Sequence, residues 1–273
     1  VFIQGVRALC SDLFFCVVVH AMDFSPVDPN LPWISPNDLL MYVLVSGASR
    51  GVGRDTALYL AQQGHEIWAL SRSAEKLTSL AQSAKDQPGR IHVVVSDLAQ
   101  AEAIDQSIAQ ILPHMPHLDV LINNAGLLIH QPFEQLTDEA WLAMWQVNVM
   151  GAVRLIRALL PKLQQAPRAH VVQIGSMGGF QGSAKFPGLS AYSASKAALA
   201  SLSECLAEEF KEQGIAFNTL ALGAVQTEML AQAFPGYQAP VRSEEMGAFV
   251  GWFALHGHRY FNGKVLPVSV STP

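Results

Sequence analysis

Charge is scarce in this chain: Asp, Glu, Lys and Arg make up 14% of its 273 residues, with 22 acidic against 17 basic side chains and a formal net charge of −5. That balance offers no basic field for a nucleic-acid backbone or an acidic lipid surface, so a small molecule is the expected partner. Cysteine is scarcer still. The three present, Cys10, Cys16 and Cys205, share no metal-ligand spacing and build no disulfide framework, which fits a reducing, cytoplasmic setting. The nine histidines form no H-E-x-x-H pattern and no Cys/His cluster, so no metal is expected. Long apolar runs are also missing. The most conspicuous, LFFCVVV at 13–19, is too short to cross a bilayer, and no membrane partner is expected.

What remains is a chain that is 50% hydrophobic and long enough to bury one sizeable core, the size of a single α/β domain. Residues 1–40 differ from the rest: the short apolar run is followed by the Pro-rich SPVDPNLPWISP, which can form neither helix nor central strand. They are expected to be an N-terminal extension outside the core. A signal peptide is the alternative, disfavoured because Asp12 abuts the apolar run.

From Met41 onward, β-rich apolar runs alternate with helical patterns. Strands are predicted at 41–46, 66–70, 91–95, 118–122, 170–175, 215–221 and 264–270, and helices near 53–63, 74–86, 100–112, 137–163, 190–213 and 243–256. Right-handed crossovers then dictate an α/β fold with a doubly wound parallel sheet over 41–273, its ligand crevice at the carboxyl ends of the strands. At the first such end, VSGASRGVGRDTALYL places Gly47, Gly51 and Gly53 between a strand and a helix. Absent side chains there let backbone N–H groups and the helix N-terminus approach a pyrophosphate. The spacing, G-x-x-x-G-x-G, is weak alone and gains its meaning from the strand-then-helix context.

A second feature is the helix start SAYSASKAALASL, where Tyr192 and Lys196 lie one turn apart on one face. Together with SGASRGVG (46–53), Asp97-Leu98, NNAG (123–126), Asn148, Ser176 and GAVQT (223–227), YSASK makes the chain from Met41 on resemble the short-chain dehydrogenases/reductases, with its nearest likeness to the NADP-dependent carbonyl and 3-oxoacyl reductases. The resemblance implies a seven-stranded Rossmann sheet and a nicotinamide cofactor held by Gly47, Ser49, Arg50, Gly51, Gly53, Arg72, Asp97, Leu98, Asn124, Ala125, Gly126, Tyr192, Lys196, Val225 and Thr227. Asn123 is expected to brace neighbouring backbone, and Asp97 to double as a helix N-cap.

The chemistry implied is hydride transfer between a carbonyl and an alcohol, which builds charge on oxygen and needs a proton donor working near neutral pH. An unperturbed phenol titrates near about 10, so a neighbouring ammonium at Lys196 is expected to lower it. By resemblance, Tyr192 is the acid/base, Lys196 also holds ribose hydroxyls, Ser176 hydrogen-bonds the substrate carbonyl, and Asn148 links Lys196 to water. Ser183 and Ser190 are the rivals of Ser176. Ser193, Ala194 and Ser195 are expected to leave room for ligands. A non-catalytic NADP-binding regulator of the same fold is the alternative, and the full set Asn148, Ser176, Tyr192 and Lys196 argues against it, because a sensor needs no proton donor.

Cofactor choice is expected to be NADP: the second strand ends ALSRS, with Ser71 where an NAD enzyme places an acid, and Arg72 and Arg50 offering guanidiniums to a 2′-phosphate. Two departures from the family pattern stand out. Leu222 replaces the usual Pro before Gly223 and is expected to loosen that loop, and the stretch between Ser176 and Tyr192 is about three residues longer than usual. Phe180, Phe186, Met229, Leu230 and Phe234 point to a hydrophobic carbonyl substrate. Trp141 and Trp145 are expected in the core or a subunit contact, and the apolar helices at 137–163 and 190–213 predict a homodimer or homotetramer.

Overall fold

The computed structural model describes residues 40–270. The extension expected at 1–40 lies outside them except for its last residue. Seven parallel strands form one sheet: β1 (Tyr42–Ser46), β2 (Glu66–Ser71), β3 (Arg90–Val95), β4 (Val120–Asn123), β5 (Ala169–Ser176), β6 (Ile215–Leu222) and, numbered last in chain order, β9 (Lys264–Val268). Their order is β3-β2-β1-β4-β5-β6-β9, which reverses direction between β1 and β4. That reversal opens the crevice at the strand carboxyl ends where ligands of doubly wound sheets bind.

Period-two alternation sends successive side chains to opposite faces. Val43 and Val45 enter one core, with α1 (Gly51–Gln62), α2 (Ala74–Ser83) and α8 (Ser243–His256); Leu44 enters the other, with α3 (Ala101–Ile111), α5 (Gly151–Leu163) and α6 (Ser190–Glu209). Both faces are covered, so the strands read as continuous apolar runs, not alternating ones. On the first face α1 and α8 cross closely: a Cβ on Gly247 would come within 2.8 Å of the Asp55 backbone.

Two predicted helices are composite. The stretch 137–163 divides into α4 (Asp138–Trp145), a π-helical turn (Gln146–Met150) and α5, while 190–213 ends at Glu209, where a 3-10 turn leads to Gly214 at φ 72°. No sequence signal marks α7 (Glu228–Ala233) or the two-residue pair β7 (Val225–Gln226) and β8 (Val241–Arg242), because elements this short carry no periodicity. Leu222, where a looser loop was expected, closes β6 between Ser176 and Val268, and Gly223 N–H donates to the Val268 carbonyl at 2.8 Å. A proline at 222 would contribute no ladder donor.

Candidate active site

The glycine turn follows β1 directly. Gly47 and Gly51 have φ of 69° and 54°, in the left-handed region open to glycine, and a Cβ at Gly53 would lie 2.2 Å from Asn124 Nδ2. The turn is locked by its neighbour β4: Asn124 Nδ2 donates to the carbonyls of Ser46 (3.0 Å) and Gly47 (3.2 Å), while Ser46 Oγ accepts from the N–H groups of Asn124 and Ala125, both at 3.2 Å. Asn124 therefore does the bracing expected of Asn123. The Asn123 amide is buried, with no hydrogen-bond partner among the described residues.

Helix α1 begins at Gly51, with Arg50 at the cap position making no side-chain cap and no acid in its first turn, so its N–H groups and dipole are left to an anion. Thr227, the cap of α7, approaches the same turn, with its Cγ2 3.3 Å from where a Gly51 Cβ would stand. These features fit a dinucleotide pyrophosphate. Ser71, buried at the end of β2, accepts from Ser73 N–H at 3.2 Å, and the adjacent Arg72 is exposed, with no acidic partner among the described residues. Arg50 differs: its guanidinium pairs with Glu228 at 2.8 Å.

After β3, Asp97 accepts from Ala99 N–H at 3.0 Å in an Asx turn, while the cap position of α3 belongs to Gln100, so Asp97 is not the helix cap. Leu98 is buried in the core, against Gly151 at the start of α5. Val225 is likewise buried.

The reactive groups gather at the ends of β4 and β5. Ser176 closes β5, accepts from Gly178 N–H at 3.1 Å and hydrogen-bonds Tyr192. Its rivals are otherwise engaged or hidden: Ser183 donates to the Phe180 carbonyl at 2.9 Å, and the Ser190 hydroxyl is buried without a partner among the described residues. Lys196 is buried and donates to the Ile174 carbonyl at 2.7 Å, and its Nζ stands 5.8 Å from the centre of the Tyr192 ring. A Cβ on Gly126 would lie 3.5 Å from that ammonium.

Burial sets both ionisations. It pushes the half-buried Tyr192 phenol up to about 12, against a smaller downward pull from the Ser176 hydrogen bond, and brings Lys196 down to about 8. The expected lowering of the phenol by Lys196 is thus corrected: an ammonium that is itself desolvated, and committed to a carbonyl, does not offset the burial of its neighbour.

Asn148 occupies the π-helical turn, a distortion frequent at functional sites, which the apolar pattern around it concealed. Its Oδ1 accepts from Leu127 N–H at 2.7 Å, and its Nδ2 donates to the Leu127 carbonyl at 3.0 Å and to Ser195 Oγ at 2.9 Å. No hydrogen bond joins Asn148 to Lys196. Ser195, expected on the ligand side, is instead buried and bonds back to the Tyr192 carbonyl at 2.7 Å.

The longer stretch after Ser176 folds on itself. Lys185 Nζ donates to the Phe180 carbonyl at 2.6 Å and to Ser183 Oγ at 2.8 Å. This presents Phe186 to Phe234, with ring centres 6.2 Å apart, and His130 completes the group at 5.1 Å from Phe234. His130 carried no sequence signal. Among the described residues, no group of His, Cys, Asp and Glu is arranged to hold a metal ion, and no helix is long and apolar enough to cross a membrane.

Comparison with known proteins agrees with this geometry. The chain is 34% identical over 216 residues to the fatty acyl-CoA reductase of Acinetobacter baylyi, covering 78% of this chain and 72% of that protein. It is 29% identical over 237 residues to the 3-oxoacyl-[acyl-carrier-protein] reductase FabG of Pseudomonas aeruginosa, covering 83% and 94%. Among solved structures it resembles a putative NAD(P)-dependent gluconate 5-dehydrogenase from Beutenbergia cavernae with bound NADP (TM-score 0.76, 29% identity, 84% of this chain and 95% of that one). It also resembles the L-sorbose reductase of Gluconobacter frateurii complexed with NADPH and L-sorbose (TM-score 0.77, 25% identity, 85% and 96%). The short chain dehydrogenase profile matches residues 41–238, spanning the glycine turn, the Ser176–Tyr192–Lys196 cluster and α7 alike, and the chain belongs to that family of oxidoreductases.

Proposed function

We propose that this protein is an NADP-dependent reductase of hydrophobic carbonyl compounds, with Tyr192 as the acid/base. The observation that carries the reading is the convergence of Ser176, Tyr192 and Lys196 at the carboxyl end of β5, beside a glycine turn shaped for a dinucleotide. The dinucleotide supplies the hydride. The protein's own groups do the rest: Ser176 donates to the carbonyl oxygen and steadies the charge that develops there, Tyr192 delivers the proton, and Lys196 keeps a positive charge beneath both. Asn148 acts through Leu127 and Ser195, holding the NNAG turn and the Tyr192 turn of α6 in register.

NADP is favoured over NAD because β2 ends in Ser71, with Arg72 following it, where a carboxylate would repel a phosphate. A hydrophobic substrate is favoured by the His130–Phe186–Phe234 group and by the likeness to reductases named for acyl substrates. A cytoplasmic, homo-oligomeric protein and a dispensable segment at 1–40 belong to the same reading. The test is NADPH consumption across aldehydes and ketones of rising chain length, with NADH in parallel. Turnover that improves with chain length and prefers NADPH supports it; binding without turnover of any carbonyl, or preference for NADH, overturns it.

A further inference from the structure

Between the glycine turn, α2 and the first residues of α7 and α8 lies a polar groove of about 440 Å³, lined by Arg50, Arg54, Lys76 and Glu228 among others. Its cations are not equally available. Arg54 is held by Asp55 at 2.9 Å, while Glu228 reaches both of the others, Arg50 at 2.8 Å and Lys76 at 3.9 Å. Glu75 and Glu244 also line the groove, so with Glu228 in place its carboxylates outnumber its cations. Arg50 is a residue on which the NADP reading relies, yet an acid from the far end of the sequence already occupies it.

We propose that Glu228 is a specificity-determining residue that competes with the cofactor's 2′-phosphate for Arg50 and Lys76, the latter being a phosphate contact the sequence did not disclose. The inference rests on the NADP reading of the site. The physical basis is exchange of one anion for another. The Arg50 and Glu228 side chains are 42% and 56% exposed, so their ion pair is screened and readily broken. A phosphate carries more charge and more acceptor oxygens than a carboxylate, and two cations can hold it at once. NADH brings no such group to the exchange, so Glu228 penalises only the phosphorylated dinucleotide. The Arg50 hydrogen bond draws the Glu228 pKa below its ordinary value and so favours the ionised carboxylate.

The experiment measures dissociation constants by fluorescence titration for NADPH and NADH, and by calorimetry for adenosine 2′,5′-bisphosphate, in the wild type, Glu228→Gln and Lys76→Ala. Glu228→Gln is expected to tighten NADPH and the bisphosphate by about threefold to fivefold with NADH unchanged, the difference fading in high salt. Lys76→Ala is expected to weaken the same two ligands. Glu228→Ala, which removes the side chain's hydrogen bonds as well, should reproduce the direction seen with Gln. A wild type that binds NADPH while Glu228→Gln alters both dinucleotides equally, or loosens NADPH, overturns the competition and leaves the proposed function standing. A wild type that binds neither dinucleotide overturns both.

Discussion

Tyr192 and Lys196 are set by the same burial in opposite senses, one up to about 12 and the other down to about 8. Burial shifts each towards its neutral form: the phenol keeps the proton it must give, while the lysine stays mostly charged at neutral pH and loses that charge as pH rises past about 8. Removing the hydroxyl in Tyr192→Phe should lower carbonyl reduction by about 10²–10⁴-fold, the usual worth of a positioned acid, with dinucleotide affinity falling far less in titrations. If Lys196 must be charged to hold the dinucleotide, kcat/KM for NADPH should fall about tenfold per pH unit above about 8. A profile flat to pH 10 would show that the ammonium is not depressed. Tyr192 and Lys196 were legible because a helix fixes which residues share a face; the ionisations were not, because they depend on what covers that face.

At the scale of elements, the crossing of α1 and α8 depends on a missing side chain. Gly247 faces the Asp55 and Thr56 backbone at 2.8 Å from a would-be Cβ, and backbone, unlike a side chain, cannot swing aside. Gly247→Ala should destabilise the protein by about 1–3 kcal/mol through overpacking, read as a lower denaturation midpoint with an unchanged slope. The same contact carries the glycine turn, since α1 starts there. Sequence periodicity located both helices but not their crossing. It likewise missed the π-helical turn at Asn148 and the short α7, whose Glu228 meets Arg50 across 178 residues of chain.

For the whole molecule, one buried imidazole links the far end of the sheet to acid stability. His170 on β5 bonds the Ala254 carbonyl of α8 through Nδ1 (2.9 Å) and Asn218 of β6 through Nε2 (3.0 Å), with the His258 ring 5.7 Å away. Burial holds its pKa down to about 3. The unfolded chain therefore binds a proton near pH 6.5 that the folded chain refuses, so stability is intact above about 6.5 and is lost progressively as pH falls towards about 3. His170→Gln should flatten that slope in unfolding measurements made across the range; an unchanged slope would assign it to other groups. Assembly is testable at the same scale. Leu142 (60% exposed) and Trp145 (38%) present a turn of apolar surface on α4, and Phe133 (69%), shortly before α4 in the chain, is exposed as well. Light scattering should give a multiple of 29.5 kDa, and Leu142→Glu should reduce it to the single-chain mass.

The sequence by itself determined the parallel α/β class, six of the seven sheet strands to within a residue at their amino ends, the glycine turn and the Tyr192–Lys196 pair, because each is written in local periodicity or in spacing along one helix. Only the tertiary structure decided which amide braces that turn, which serine meets the phenol, that His130 joins the aromatic wall, and that Glu228 covers Arg50. Those outcomes depend on which strand ends the sheet order brings together, and on how deeply the surrounding elements bury them. Neither quantity is carried by any single stretch of chain.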